Sequence, residues 1–454
     1  MEQDTIAAIS TPFGEGAIAV IRVSGPTAKQ VVGSAFKGSI SLETCEARRA
    51  YLGSITAQDG SVIDQVLATV FTAPGSYTGE DLVELGCHGG ILVSREVYSR
   101  ILEAGARPAE PGEFTQRAFI NGKLDLTQAE AVMDLIRART DLALRSAAEQ
   151  LDGTLGNDMN MLRADLLGVL AHIEAYIDFP EEDIQTDTAD EISARLSSAK
   201  QEVERLLDTA AHGRVLREGL RTVIAGPPNA GKSSLLNVLL GFERAIVSES
   251  AGTTRDTIEE VVDIKGVPVR LTDTAGVRDS GDAIEKEGIA RTGKALENAD
   301  LIIALQDGST APQGDESISE IAGSTNAIHV LNKADLGIHP DRPSSGEGTA
   351  ENPITISCTT NDGIDLLTEA IAQRALGGVV TSVNPVAINA RHQECLRRAA
   401  KDLDASLSAL AASQPPEITA IEIRSALDAI GEVVGKADTE ELLGEIFSSF
   451  CIGK

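Results

Sequence analysis

The chain has 454 residues, enough for about three domains that each bury a core of their own. Its 69 acidic and 39 basic side chains give a formal net charge of −30, which disfavours non-specific adsorption to nucleic acid, because phosphate binding is driven by Lys and Arg displacing counterions. Five scattered cysteines, Cys45, Cys87, Cys358, Cys395 and Cys451, form no C-x-x-C pair and exclude both a disulfide framework and a zinc site as expectations.

The opening Met-Glu-Gln-Asp-Thr lacks the basic stretch and apolar core of a signal peptide. No apolar run approaches the roughly 18 to 20 residues of a membrane span. The expected setting is therefore a reducing cytoplasm without membrane contact, and any nucleic-acid substrate would be held largely by a more basic partner.

Residues 1–121 read as an α+β domain. The runs "DTIAAIST", "GAIAVIRVSG" and "DQVLATVFTAPGSYTGEDLVELGCHGG" are β-branched and punctuated by Gly, Pro and Ser, and "ILVSREVYSRILEAG" has helical apolar spacing ending on Gly105. Over 122–215 the period becomes helical, with Leu162, Leu166, Leu167, Leu170, Ile173 and Ile177 assigned to one face. A second helical stretch fills 379–454, where Leu442, Leu443, Ile446, Phe447 and Phe450 share a face. Between them, 216–378 alternates strand and helix in the manner of a parallel-sheet domain. Apolar faces on both sides of such an insert are most simply buried against each other, so the expected fold is multidomain α/β plus all-α: an N-terminal α+β domain, a discontinuous helical domain, and an inserted Ras-like P-loop domain. The segment "HPDRPSSGEGTAENP" reads as a surface loop of the insert.

The insert carries the chemistry. "RTVIAG" leads into G-x-x-x-x-G-K-S from Gly226 to Ser233 and then a helix with Leu235, Leu236, Leu239 and Leu240 inward. Glycines let backbone N–H groups face phosphates at a helix N-terminus, Lys232 neutralises the β and γ oxygens, and the Ser233 hydroxyl suits Mg2+. "VPVRLTDTAG" ends in Asp273, Thr274, Ala275 and Gly276, with Asp273 suited to a magnesium-bound water and the Gly276 N–H to the γ-phosphate. The next residue, Val277, stands where Ras-like proteins carry a water-orienting glutamine, and it can neither donate nor accept a hydrogen bond. "AIHVLNKAD" places Asn332, Lys333, Ala334 and Asp335 at a strand end. A carboxylate there accepts from the N1–H and exocyclic amine of guanine, whereas adenine would leave it unpaired, so GTP is selected over ATP. Ser357, Cys358 and Thr359 follow the next strand and close over the base.

The order P-loop, "GTTRD", "DTAG", "NKAD" resembles the translation-factor-like GTPases. Together with "IRVSG", "YTGEDLVELGCHGG", "RPAEPGEFTQRAFINGKLDLTQAEAV" and "FSSFCIGK", the whole chain resembles the MnmE (TrmE) family of bacterial tRNA-modification GTPases, in the TrmE-Era-EngA-like superfamily. The resemblance implies an N-terminal domain that binds 5-formyl- or 5,10-methylene-tetrahydrofolate and forms a homodimer. It also implies a FAD-carrying partner, MnmG (GidA), with which aminomethyl or carboxymethylaminomethyl groups are installed at C5 of the wobble uridine of certain tRNAs.

The same resemblance assigns roles. Asn229, Ala230, Gly231, Lys232, Ser233 and Ser234 of the P-loop, and Ser248, Glu249, Ser250, Ala251, Gly252, Thr253 and Thr254 of the first switch, line GTP. K+ is held by Asn229 and by carbonyls of Ser248, Ser250 and Thr253, and Mg2+ by Ser233 and Thr254. A desolvated cation beside the β and γ oxygens stabilises developing charge as a guanidinium would. Glu285, by itself an exposed helix-start acid, matches the family's catalytic glutamate. Arg22, Glu84, Lys123 and Lys454 match its folate-binding positions, whose carboxylate suits a pterin edge and whose cations suit a glutamate tail. His88, beside Gly89 and Gly90, reads as part of a tight turn, and Cys451 as a small apolar residue following Phe450.

Overall fold

Alternating burial along β-branched segments builds a first sheet. The computed structural model describes residues 4–178, 188–242, 245–246, 260–273, 296, 298–312, 326–377, 388–436 and 440–454. They fall into two units: Met1–Met133 with Leu151–Arg195 and Ala405–Lys454, and Asp134–Gln150 with Leu196–Asp404. No described helix is long and apolar enough to cross a membrane.

In the first unit, β1 (Ile6–Ile9), β2 (Ile18–Ser24), β3 (Phe36–Gly38), β4 (Ala50–Thr56), β5 (Val62–Phe71), β6 (Leu82–His88) and β7 (Arg107–Pro108) are ordered β3-β4-β5-β6-β2-β1-β7. Helices α1 (Ala28–Ala35) and α2 (Ile91–Glu103) supply Val31, Val32, Val97 and Ile101 to the core that holds Ile21, Val23 and Leu85. The two-residue period of β2 buries Ile21 and Val23 and leaves Arg22 half-buried on the other face, in register with Glu84 of β6. α2 stops where expected: the Gly105 N–H reaches the Leu102 carbonyl and Gly105 takes φ 117°.

The chain continues through α3 (Glu113–Ile120), α4 (Leu126–Arg137), α5 (Asp141–Leu151), α6 (Thr154–Asp178) and α7 (Ala189–Glu218). The second unit then supplies β8 (Leu220–Ala225), α8 (Lys232–Phe242), β9 (Ala245–Ile246), β10 (Glu260–Ile264), β11 (Val267–Asp273), β12 (Leu301–Asp307), β13 (Ala327–Asn332), β14 (Ile354–Thr355) and α9 (Ile364–Ala375). α10 (Ala390–Ala411), α11 (Pro416–Val433) and α12 (Glu440–Ser448) follow.

Helices from before and after the second sheet pack on each other, as a discontinuous helical domain requires. α6 lies on α11, burying Leu155, Met159, Leu162, Leu166, Leu170 and Ile173 on one side and Ile423, Leu427 and Ile430 on the other. Arg424 donates to Glu174 at 3.0 Å and Lys436 to Asn160 at 2.8 Å. Leu167 corrects the expected face: it is 43% exposed, because one residue past Leu166 turns it about 100° out of the seam. Leu443, Phe447 and Phe450 pack on Leu126, Ala129, Val132 and Met133 of α4.

The second sheet runs β14-β13-β12-β8-β11-β10-β9, with β8, β11, β12, β13 and β14 parallel and β9 and β10 antiparallel to their neighbours. Leu235 and Leu239 of α8 are fully buried against it, and Leu236 and Leu240 partly so. β8 lies between β11 and β12, so the strand order reverses at its C-terminal end. That is where open α/β sheets bind ligands.

At the opposite end of β12, Asp300 accepts from Arg214 of α7 at 2.9 Å and from Arg221 Nε of β8 at 3.0 Å. Burial pushes this carboxyl up, but the two arginines outweigh it and hold it down at about 2. A depressed folded-state value contributes stability above the ordinary carboxylate range, and that stability is lost as pH falls toward 2. The arginines are 38% and 48% exposed, so the contribution is discounted for screening to on the order of 1 kcal/mol. Asp300→Asn is expected to lower stability by about that amount at neutral pH and by much less below pH ~3, read from urea unfolding across pH; a difference unchanged with pH would remove the ion-pair account.

Candidate functional site

The P-loop is shaped by positions that tolerate only certain residues. Gly226 approaches the neighbouring strand so closely that a Cβ would lie 2.1 Å from the Leu305 carbonyl oxygen, and Gly231, at φ 100°, leaves no room either: a Cβ would sit 2.2 Å from Asn332 Nδ2. Asn229 is left-handed at φ 63°, a region where Asn is the most tolerated residue after Gly. The Lys232 ammonium donates to the carbonyls of Gly226 and Pro227, both at 2.9 Å, which holds its charge inside the arc of the loop. Ser233 and Ser234 are exposed in the first turn of α8, where backbone N–H groups and the helix dipole favour an anion.

At the end of β13, Asn332 is 2% exposed and satisfied on both sides. Its Nδ2 donates to the Ala230 carbonyl at 2.9 Å, and its Oδ1 accepts the Cys358 N–H at 3.2 Å. One buried amide therefore ties the P-loop to the Ser357–Thr359 loop. Asp335 is exposed, and its Oδ1 accepts from Ser357 Oγ at 2.6 Å; the same hydroxyl accepts the Thr359 N–H at 3.3 Å. Ala334 anchors the turn through its N–H to the Ile356 carbonyl. Burial pushes the Cys358 thiol up to about 11, so it serves here as a small neutral group. Sequence reasoning missed Asp307, which accepts from Lys333 Nζ at 2.6 Å; its place at a strand end beside a glycine was the available signal.

In the first unit, Arg22 donates to Glu84 Oε1 through Nε at 3.0 Å and Nη2 at 2.8 Å. Its guanidinium lies 5.4 Å from the Tyr77 ring centroid and 5.7 Å from that of Phe114, within cation–π range of both. The Phe114 N–H donates to the Lys454 carbonyl at 3.2 Å, so the chain around Lys454 meets the same cluster. Gly112, at φ 68°, makes this close approach possible: a Cβ would lie 2.8 Å from the Phe447 carbonyl oxygen. Lys123 is exposed, and its stem passes Gly79, two residues after Tyr77. Tyr77 and Phe114 were not anticipated, although an aromatic in "GSYTGED" and another in "EFTQR" carried a signal.

His88 corrects the expected tight turn: the antiparallel ladder runs up to it, so it is the last residue of β6, in register with Ile18 of β2. Its N–H and Nδ1 meet Asp64, and a Cβ on Gly89 would stand 2.5 Å from the Gly16 carbonyl oxygen. Of the other expected residues, Ser248, Glu249, Ser250, Ala251, Gly252, Thr253, Thr254, Thr274, Ala275, Gly276, Val277 and Glu285 lie outside the described residues. Asp273 closes β11.

Residues 126–451 match a family model described as the MnmE helical domain, and residues 5–123 one described as the N-terminus of the GTP-binding protein TrmE. The chain is 51% identical over 452 residues to a tRNA modification GTPase MnmE of Akkermansia muciniphila, covering 99% of both chains. It is 43% identical over 458 residues to one of Natranaerobius thermophilus, covering 100% of both. Among solved structures, the G domain of the T. maritima FeoB iron transporter is 26% identical over 34% of this chain and 97% of that one, at a TM-score of 0.25.

Gly231→Ala is expected to break the Asn332–Ala230 bond and weaken guanine-nucleotide binding at least about tenfold, roughly the loss of one buried hydrogen bond. Titration with fluorescent GDP checks this, and wild-type affinity in the variant would refute the steric reading.

Proposed function

This chain belongs to the MnmE family of tRNA modification GTPases, and on that premise we propose that it binds and hydrolyses GTP at the P-loop site in the service of tRNA modification. The observation that carries the nucleotide reading is the Asn332 amide, which joins P-loop and base loop beside Asp335. Full-length similarity carries the link to tRNA.

Lys232 neutralises phosphate charge, and the Ser233 hydroxyl is a hard oxygen donor suited to Mg2+ beside Thr254. Asp335, oriented by Ser357, accepts from guanine N1–H and the exocyclic amine. Asn229 presents an amide oxygen donor that suits K+, with Ser248, Ser250 and Thr253 completing its ligands. Bound there, the ion would supply transition-state charge stabilisation. Glu285 orients the attacking water, the task that Val277 cannot perform.

The Arg22–Glu84 pair is the centre of a folate site. Both Arg22 donors reach Oε1 of Glu84, leaving Oε2 as an acceptor for a pterin's amide and amino edge, while Lys123 and Lys454 supply cations for the acidic tail. The chain acts in the cytoplasm as a homodimer with the flavoprotein MnmG (GidA), which carries FAD and most of the tRNA contacts, consistent with the net charge of −30. The product is an aminomethyl or carboxymethylaminomethyl group at C5 of the wobble uridine. The domains are read as 1–121 for folate and dimerisation, 122–215 and 379–454 for the two helical segments, and 216–378 for the G domain.

GTP turnover is expected to be several-fold or more faster in K+ than in Na+ at matched ionic strength, since the smaller ion fits a carbonyl cage poorly. Equal rates would sink the role given to Asn229. Nucleoside analysis of tRNA from cells lacking the chain is expected to show loss of the C5 modification, restored by wild type and not by Glu285→Ala.

A further inference from the structure

β12 ends in Gln306 and Asp307 and continues as Gly308, Ser309, Thr310 and Ala311, alongside the end of β13. Both Asp307 oxygens are committed: Oδ2 accepts from Lys333 Nζ at 2.6 Å, and Oδ1 accepts the Ser309 N–H at 2.9 Å and its hydroxyl at 2.6 Å. The Gly308 N–H donates to the Asn332 carbonyl at 2.8 Å. Lys333 itself is left-handed at φ 67°, a conformation that a long side chain rarely adopts without support.

A second layer holds that loop. Arg342, in the surface segment between β13 and β14, donates through Nε to the Thr310 carbonyl and through Nη2 to the Asp307 carbonyl, each at 3.0 Å. Its Nη1 reaches the Gln306 side chain, and the His339 N–H donates to the Gly308 carbonyl at 2.8 Å. A segment that reads from its composition as an ordinary solvent loop thus carries an arginine spent on backbone carbonyls next to the base-binding strand end.

We propose that Asp307 and Arg342 are positioning residues for the guanine nucleotide: Asp307 fixes the Lys333 ammonium before the nucleotide arrives, and Arg342 fixes the loop that presents Asp307. The inference rests on the GTP-binding reading above and extends it to residues outside its motifs. A lysine already ordered loses little rotamer freedom when nucleotide binds, so the arrangement raises affinity by preorganisation and acts mainly on the dissociation rate. Asp335 and Ser357 stand outside this network, so preference for guanine over adenine is unaffected.

The test uses the full chain with Asp307→Asn, Arg342→Met and Arg342→Lys. Release of fluorescent GDP is followed by stopped flow, with KM and kcat for GTP and thermal melting measured alongside. Asp307→Asn is expected to raise the GDP Kd and the KM for GTP about tenfold, mostly through faster release, as for loss of one charge-assisted hydrogen bond. Arg342→Met shifts both about threefold in the same direction, Arg342→Lys restores part of the loss, and kcat at saturating GTP stays within about twofold. GDP release from Asp307→Asn and Arg342→Met at the wild-type rate would overturn the inference. So would a fall in kcat with KM unchanged, or a lowered melting temperature that Arg342→Lys leaves unrescued, since either marks a merely structural role. Failure of the wild type to bind GDP would instead strike the functional reading on which the inference stands.

Discussion

The nucleotide site depends on one buried amide. Asn332 contributes no charge, yet its donor and acceptor join the two loops between which a base and its phosphates must fit. At 2% exposure an unmet donor or acceptor there would cost about 1 to 3 kcal/mol, so each loop satisfies a group that would otherwise be stranded. The constraint propagates into composition: Gly231 must lack a Cβ because Asn332 Nδ2 occupies that space. Ser357 continues the arrangement by setting Asp335 with one hydrogen bond and the cap loop with others.

A second constraint governs the helices. Neither α6 nor α11 could leave its apolar seam in water, and the P-loop sheet between them in sequence is already closed on its own core. Burying one seam against the other satisfies both and fixes the chain as a discontinuous helical domain. The same logic brings Phe447 and Phe450 onto α4 and carries the Lys454 carbonyl to the Phe114 amide. The Arg22 cluster thus gains a neighbour from the far end of the sequence.

What was legible in the sequence was what local chemistry enforces. The P-loop, the Asn332–Asp335 turn and the strand–helix alternation require particular residues at particular spacings, so their pattern survives in one dimension. Arg22 and Glu84 are brought together by strand register across an antiparallel ladder, which no local pattern encodes; only the family resemblance paired them in advance. Tyr77 and Phe114 take their place over Arg22 through tertiary packing alone. Leu167 failed for a different reason: an apolar residue beside a seam fits a helical period, and only the neighbour's position decides which of two adjacent leucines is buried.

β12 joins these observations. A carboxylate stands at each end of it: Asp300 gathers Arg214 of α7 and Arg221 of β8, and Asp307 gathers Lys333 beside the base loop. Between them Leu301–Ala304 pairs with β8 and Ile302–Asp307 with β13, and Leu301 to Leu305 are buried. The register of such a strand is strongly specified: a slip by one residue would exchange its faces and expose the side chains now buried. The helix preceding the P-loop sheet and the lysine at the guanine site are thus tied to one strand, and the two acidic residues that a charge count would assign to the solvated surface are the means of attachment.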